Sequence, residues 1–86
     1  MKIVWDEPKR AANLDKHGMD FADLKETFFD NALALATHGN RWRAIGINTR
    51  GVISVIFATR GAEGVSIISM RPASKKERKL YEENRR

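Results

Sequence analysis

The sequence contains no cysteine, only two prolines and no long run of apolar residues. Without cysteine it cannot build a disulfide scaffold, a thiolate zinc site or a cysteine nucleophile. Its apolar stretches are shorter than the roughly 20 residues that a membrane-spanning helix needs. The N-terminus reaches charged residues too early to form the apolar centre of a signal peptide. We therefore expect a cytoplasmic protein that makes no contact with a membrane.

Residues that could hold a metal or a cofactor are also scarce. His17 and His38 stand apart in the sequence, and no group of carboxylates has the spacing of metal ligands. There is no glycine-rich phosphate loop and no nucleophile elbow. The sequence predicts no metal and no cofactor, so any enzymatic chemistry would be metal-free acid–base chemistry.

The 86 residues are 42% hydrophobic and 31% charged, and the formal net charge is +5 with a pI near 10. This length predicts a single domain over residues 1–86 with a small core. A basic domain of this size indicates a nucleic acid or an acidic protein as partner. The charge could equally serve solubility alone.

Helix signals dominate the N-terminal third, after a short edge strand at residues 3–5. Asp6 at the start and Gly18 at the end predict a helix that runs to about His17. Asp20 is the predicted N-cap of a second helix. The apolar face of that second helix has helical spacing and comprises Phe21, Leu24 and Phe28.

From residue 32 onward the pattern becomes that of strands. Residues 32–36 fit a strand or a fraying helix end, with a strand favoured, and three further strands are predicted at residues 41–48, 52–59 and 65–71. Strict alternation in the last strand places Val65, Ile67, Ser69 and Arg71 on one face. A capping box at Ser74 predicts a C-terminal helix from residue 75. The predicted fold is α+β, with two N-terminal helices, an antiparallel sheet of about four strands and a C-terminal helix.

One face of the first helix carries polar side chains at i, i+4, i+7 and i+8, namely Lys9, Asn13, Lys16 and His17. Ala11 and Leu14 form a thin apolar stripe on another face. The polar face could contact phosphates and let the imidazole of His17 move a proton near neutral pH. It could equally be a solvated surface, with His17 stabilised near the helix C-terminus.

Four arginines lie on or at the ends of the predicted strands, at positions Arg41, Arg43, Arg60 and Arg71. Guanidinium groups that converge would suit phosphate oxygens and the charge of a phosphorane. The alternative is that each arginine pairs with a carboxylate or protects a sheet edge. On the last helix, Arg78 and Tyr81 are three residues apart and can act together, whereas the capping box already accounts for Glu77.

Several separated segments resemble the BrnT family of toxins. The N-terminal segments are Trp5-Asp6, Arg10, Asn13-Leu14, His17-Gly18 and Phe21. The central ones are Arg41, Ile45-Gly46 and Arg60-Gly61. The C-terminal ones are the run 67–73, Glu77-Arg78 and Tyr81-Glu82. Together they span nearly the whole chain in the order of the family.

The resemblance implies a RelE-like fold and a ribonuclease toxin of a type II toxin–antitoxin module. Such a toxin inhibits translation by cutting RNA, and the RNA could be free or mRNA on the ribosome. It is neutralised by a BrnA-type antitoxin with a ribbon-helix-helix DNA-binding domain. The complex represses its own operon, so operator DNA is contacted only through the antitoxin.

Without a metal, RNA is cleaved by attack of its own 2′-hydroxyl on the adjacent phosphorus, and the protein must orient this attack, stabilise the phosphorane and move protons. We assign phosphate stabilisation to Arg60 and Arg71, and acid–base catalysis to His17 with Tyr81 as its alternative. The predicted RNA-binding residues are Lys9, Asn13, Lys16, Arg41 and Arg78. The competing interpretation is a non-catalytic module that binds nucleic acid or the antitoxin. Convergence of the four catalytic candidates in one pocket would favour the enzyme.

Overall fold

The computed structural model describes residues 1–85 of the chain. It contains five strands, three α-helices and one short 3₁₀ turn. In chain order these are β1 (Lys2–Trp5), α1 (Glu7–His17), the 3₁₀ turn (Phe21–Asp23), α2 (Glu26–Asn31), β2 (Leu33–Ala36), β3 (Arg41–Asn48), β4 (Gly51–Arg60), β5 (Gly64–Pro72) and α3 (Lys75–Glu83). No helix among the described residues is long and apolar enough to cross a membrane.

The five strands form one mixed sheet in the order β1-β5-β4-β3-β2. Strands β2 to β5 pair antiparallel, and β1 pairs parallel to β5. The predicted α+β class is confirmed, but an all-antiparallel sheet of about four strands was wrong. The sequence did propose the strand at residues 3–5. It could not show that its partner lies some 60 residues later in the chain.

The second predicted helix is broken in the structure. Asp20 caps a single 3₁₀ turn by accepting a hydrogen bond from the Ala22 backbone N–H, and α2 begins only at Glu26. The break occurs because Leu24 and Lys25 have extended backbones, with ψ angles of 132° and 161°. The extended segment still buries Leu24 in the core.

Helix α1 ends at Gly18 as predicted, with a positive φ of 66° and a hydrogen bond from its N–H to the Leu14 carbonyl. The predicted orientation of the helix was wrong. Asn13 is buried and His17 is half-buried, whereas Leu14 is 40% exposed. The helix is held by polar bonds rather than by an apolar stripe, because Arg10 binds the carboxylate of Asp20 and Asn13 binds the backbone of β5.

The core lies on one face of the sheet, under α2 and the segment before it. It is built from alternate residues of β3, β4 and β5 together with apolar side chains of residues 19–28, including Met19, Phe21, Leu24, Phe28, Val55 and Ile67. Strand β3 passes close beneath α2 at Gly46. A Cβ atom there would lie 2.9 Å from the Phe28 ring, so only glycine fits at this crossing.

A β-bulge interrupts the alternation of β5. Ile56 of β4 pairs with Ser69, and the next residue, Phe57, pairs with Ile67, so Ile68 is the extra residue. Val65, Ile67 and Met70 therefore all face the core, and Ser69 and Arg71 face the opposite side. The prediction that Arg71 shares a face with Val65 and Ile67 was wrong, because one unpaired residue reverses the phase of the strand.

Candidate active site

The second face of the sheet is only partly covered, and we call it the open face. Residues that pair across neighbouring strands lie on the same side of a sheet, so the register defines its members. They include Lys2 and Val4 of β1, Ser66, Ser69 and Arg71 of β5, Ser54, Ile56, Ala58 and Arg60 of β4, Arg41, Arg43 and Ile45 of β3, and Leu33 and Leu35 of β2. Helix α3 packs against β3 at one end of this face, where Ile45 and Ser54 are buried.

A cluster of two arginines, one glutamate and one serine lies where α3 meets the open face. Arg71 donates two hydrogen bonds to the Glu77 carboxylate, at 2.8 and 3.0 Å. Arg43 lies 3.1 Å from the same carboxylate and also donates a hydrogen bond to the Ser54 hydroxyl. We call these four residues the Arg43–Arg71–Glu77 cluster; it carries a net positive charge, because two guanidinium groups share one carboxylate.

Glu77 has two structural roles at once. Its carboxylate accepts a hydrogen bond from the Ser74 backbone N–H, which completes the predicted capping box of α3. Burial alone would raise its pKa, but the hydrogen bonds from Arg71 and Ser74 and the charges of Arg71 and Arg43 outweigh burial and lower the pKa to about 2. Glu77 is therefore ionised at neutral pH.

The four predicted catalytic residues do not meet in one pocket. Arg71 belongs to the cluster, but it is paired with Glu77 rather than free. Arg60 lies on the same face at the other end of β4, six residues or about 20 Å from Ser54, the partner of Arg71. At this separation Arg60 and Arg71 cannot both bind the same phosphate.

Tyr81 and His17 are also placed away from a common centre. Tyr81 is 6% exposed and lines a cavity of about 470 Å³ with Leu24, Phe28 and Ile47. Its hydroxyl makes no hydrogen bond with another described residue. Every buried polar side-chain atom in residues 1–85 has a hydrogen-bond partner, so the unbonded Tyr81 hydroxyl is not buried and faces solvent. His17 is half-buried on α1, and its side chain forms no hydrogen bond or ion pair within residues 1–85.

The five predicted RNA-binding residues have different surroundings. Lys9 and Lys16 are exposed on α1, Arg78 is exposed on α3, and Arg41 is exposed on the open face. Asn13 is 7% exposed and bonds only to backbone. Both amide hydrogens of Asn13 are bound to backbone carbonyls of Met19 and Met70, so we do not keep it among the proposed RNA-binding residues.

Sequence reasoning missed three members of the cluster. The sequence pattern marks Arg43 only as one of four strand arginines and Glu77 only as a capping residue, and it gives no signal for Ser54. Arg43 and Glu77 carried a signal, because an arginine on a strand and a first-turn carboxylate of the following helix are complementary in charge. Their meeting depends on how α3 crosses β3, which the sequence pattern does not encode.

No group of three or more His, Cys, Asp or Glu side chains in residues 1–85 is arranged to hold a metal ion. The cluster instead contains three charged groups, two guanidinium groups and one carboxylate. Guanidinium forks bind phosphate oxygens in the same two-pronged way in which Arg71 binds Glu77. An ionised carboxylate between them can accept a proton or a hydrogen bond. The fold and the cluster thus define a small basic α+β protein with two arginines and one glutamate grouped on its open sheet face.

The comparisons with known proteins agree with this class. A family model described as "Ribonuclease toxin, BrnT, of type II toxin-antitoxin system" matches residues 5–77, and the chain belongs to this family. Among solved structures, the chain is similar to the Brucella abortus ribonuclease toxin BrnT, with 51% sequence identity and a TM-score of 0.81. The match covers 87% of this chain and 99% of the Brucella chain. A search of curated proteins found no match.

Proposed function

We propose that this protein is the toxin of a type II toxin–antitoxin module and that it cleaves RNA at the Arg43–Arg71–Glu77 cluster without a metal ion. The observation that carries the proposal is the cluster itself: two guanidinium groups and an ionised carboxylate on the open face of the sheet. The family supports the ribonuclease activity. We treat residues 1–86 as one toxin domain that acts in the cytoplasm.

The chemistry begins with a competition for the guanidinium groups. The bonds that Arg71 makes with Glu77 are the bonds that it would make with two oxygens of a phosphodiester. When Arg71 and Arg43 turn toward the phosphate, they neutralise the charge of the phosphorane. The same movement takes from Glu77 the partners that lower its pKa, and burial then raises that pKa. Substrate binding thereby makes Glu77 a stronger base.

Glu77 is then placed to accept the proton of the 2′-hydroxyl. The 2′-oxygen attacks the phosphorus, the bond to the 5′-oxygen breaks, and this oxygen takes a proton from a water molecule, to which Glu77 returns the proton that it accepted. The products are a 2′,3′-cyclic phosphate and a 5′-hydroxyl. Arg71 and Arg43 stabilise the transferred charge, and Glu77 replaces His17 as our candidate base, since His17 makes no contact with the cluster.

Cleavage by the purified protein in the presence of EDTA tests this proposal. We expect RNA to be cut by the wild type, and Arg71→Gln and Glu77→Gln to lower kcat by about 10²–10³-fold, the usual loss for a group that acts on the transition state. Arg85→Gln removes the same charge as Arg71→Gln from the exposed segment after α3 and should leave kcat unchanged. DNA should resist, because it has no 2′-hydroxyl. Intact RNA with the wild type, both alone and with ribosomes, would refute the proposal.

The biological role follows from the cleavage. Cutting mRNA, on or off the ribosome, would inhibit translation. We further propose that a BrnA-like antitoxin with a ribbon-helix-helix domain neutralises the toxin and is the part of the complex that contacts operator DNA. The arrangement of helices before β2–β5 and of α3 after them supports a RelE-like classification of the fold.

The alternative function is a binding module without turnover. The ion pairs of Arg71 and Arg43 with Glu77 favour it, because arginines held within the protein are also typical of a structural cluster. The same experiment separates the two functions: a module binds RNA or antitoxin with Arg71 intact and yet produces no cyclic phosphate.

A further inference from the structure

The two edges of the sheet differ in how they are protected. At one edge, β1 carries Lys2, and the Asn13 side chain binds the backbone of β5 beyond the end of β1. At the other edge, β2 is the last strand, and residues 32–37 contain no charged residue and no proline. The pairing of β2 with β3 runs in continuous register. Because charges, prolines and bulges are the usual protection of a free edge, the β2 edge is open to the addition of another strand.

The backbone groups of two alanines point out of this edge. The Thr37 N–H donates a hydrogen bond to the Arg41 carbonyl of β3 at 3.0 Å. In an antiparallel pair, the backbone groups of alternate residues point to the same side of the strand. The odd-numbered residues of β2 therefore bond to β3, and the N–H and C=O groups of Ala34 and Ala36 point away from the sheet.

This edge is complementary to itself. When two β2 strands lie antiparallel, Ala34 of one copy can lie opposite Ala36 of the other, and each such pair exchanges two hydrogen bonds. The arrangement has a twofold axis at Leu35 and gives a partner to all the outward-pointing N–H and C=O groups of the two alanines in both copies. A second copy of the chain thus completes the edge with no change of backbone conformation.

The side chains at the edge also suit a second copy. On the open face Leu35 would meet Leu35 of the other copy, and on the core face Ala34 would meet Ala36. Leu35 is half-buried in the single chain, and both alanines are exposed. An acidic partner would find no cation within residues 32–37. The uncharged edge therefore fits its own sequence better than it fits an acidic segment.

Charge does not prevent the pairing. Arg43 lies next to Leu35 on β3, so the Arg43 residues of two paired copies are three strand spacings apart, or about 14 Å. This distance exceeds the screening length of about 8 Å at physiological salt. Each Arg43 is also paired with Glu77 of its own chain. The net charge of +5 on each copy should weaken association only at low salt.

We propose that the edge of β2 binds a second copy of this chain, with the two β2 strands antiparallel about a twofold axis at Leu35 and the two five-stranded sheets joined into one. The interface is small, so the dimer belongs to the weak class, and we expect it to form between about 10 μM and 1 mM. The Arg43–Arg71–Glu77 cluster lies on β3, β4, β5 and α3 and has no member on β2. The dimer is therefore independent of the proposed function.

Sedimentation velocity from about 5 μM to 1 mM tests the association. The mass of the wild type should rise from 9.8 kDa toward twice this value, and Kd should fall about threefold or more as salt rises from about 50 to 500 mM. Ala36→Lys places a cation at the edge of both copies and should raise Kd at least tenfold. Ala11→Lys adds the same charge at an exposed alanine of α1 and should change Kd by less than about twofold.

The absence of cysteine from the chain allows a second test, of the register. In the proposed dimer the two Leu35 Cα atoms lie about 4.5 Å apart, within the range that a disulfide spans. The two Leu33 Cα atoms lie about four residues apart along the strands, or about 13 Å. In a glutathione buffer at about 100 μM protein, Leu35→Cys should therefore form a disulfide-linked dimer, and Leu33→Cys on the same half-buried face should stay largely monomeric.

Three results would overturn the inference. The first is a wild type that stays monomeric at 1 mM, including one whose Leu35→Cys variant is protected from alkylation only by the antitoxin, which would assign the edge to that partner. The second is an equal effect of Ala36→Lys and Ala11→Lys on Kd. The third is equal cross-linking of Leu35→Cys and Leu33→Cys. A dimer formed by a wild type that cuts no RNA would support the inference and refute the proposed function.

Discussion

The Asn13 side chain makes the hydrogen bonds that a neighbouring strand would make at the edge of β5. Strand β1 pairs with β5 only as far as Ile67, which leaves the backbone of Met70 at a free edge. The Asn13 amide donates to the Met70 carbonyl at 2.8 Å and accepts from the Met70 N–H at 3.0 Å, as a neighbouring peptide group would. It also donates to the Met19 carbonyl at 3.1 Å. One side chain thus joins α1, β5 and the segment after α1.

Asn13→Ala should lower the free energy of unfolding by about 2–4 kcal/mol, because it leaves buried backbone groups of Met70 and Met19 without partners. Asn84→Ala removes a single exposed bond to the Leu80 carbonyl and should cost about 0.5 kcal/mol or less. Urea unfolding followed by circular dichroism measures both. Wild-type stability of Asn13→Ala with lost RNA binding would instead restore the role predicted from the sequence.

Glu77 should make stability depend on pH at the acid end. Its pKa is lowered to about 2 in the folded protein from an ordinary value of 4.5. A lowered pKa contributes stability that is fully present above 4.5 and is lost as the pH falls toward 2. Allowing for solvent screening, we expect this contribution to be about 1–2 kcal/mol.

Denaturant unfolding from pH 6 to pH 2 tests this expectation with Glu77→Gln as the partner variant. The wild type should be the more stable protein at pH 6, and the difference should shrink toward pH 2. The exposed Glu83→Gln serves as the control with the same loss of charge. A difference between wild type and Glu77→Gln that stays constant over this range would contradict the linkage.

At the scale of elements, the inverted α1 is the largest departure from the sequence pattern. Ala11 and Leu14 have the spacing of a buried stripe but are exposed, whereas Arg10 and Asn13 face the protein. Helix α1 has 11 residues and little apolar surface. The Arg10–Asp20 ion pair and the Asn13–Met70 hydrogen bonds stabilise its position more than burial of Leu14 would. The exposed Lys9 and Lys16 remain available to a partner.

The same substitution at two leucines tests the orientation of α1. Leu14→Gln should change the free energy of unfolding by less than about 0.5 kcal/mol, because this side chain is 40% exposed. Leu24→Gln should cost about 3 kcal/mol or more, since Leu24 is 7% exposed in the core. Thermal and urea unfolding give both values. A large cost at Leu14 would place α1 as the sequence pattern first indicated.

The bulge in β5 has consequences for function. The extra residue, Ile68, lets the first half of the strand bury Val65 and Ile67 while the second half buries Met70 and turns Arg71 outward. Without the bulge, a strand that buries Val65 and Ile67 would turn Met70 outward and Arg71 toward the core. The ion pair of Arg71 with Glu77 depends on this single irregularity.

At the scale of the whole molecule, the net charge of +5 should govern association with an acidic partner. An antitoxin that covers the open face would block RNA and neutralise the arginines at the same time. We expect the affinity of the antitoxin from the same operon to fall as salt rises from about 50 to 500 mM, because exposed charges are screened. Calorimetry at several salt concentrations measures this. An affinity that does not depend on salt would point to an apolar interface.

Much of the fold could be predicted from the sequence because local rules decide it. Gly18 ends α1, the capping box starts α3, and the hairpin of β3 and β4 has the period and the turn that such hairpins require. The α+β class, the basic charge and the family resemblance followed from the same residues. The prediction of one continuous second helix was only partly correct. Leu24 adopts an extended backbone that places its side chain in the core, and this breaks the helical pattern between the 3₁₀ turn and α2.

The site was decided by tertiary structure. The sequence supplied the arginines, but the register of β3, β4 and β5 placed them on one face, and the bulge at Ile68 put Arg71 there. The way α3 crosses β3 gave them Glu77 as a partner, and polar bonds at a free strand edge turned Asn13 inward. The physical reason is that capping and periodicity act between near neighbours in the chain, whereas phase, crossing angle and ion pairing depend on residues that only folding brings together.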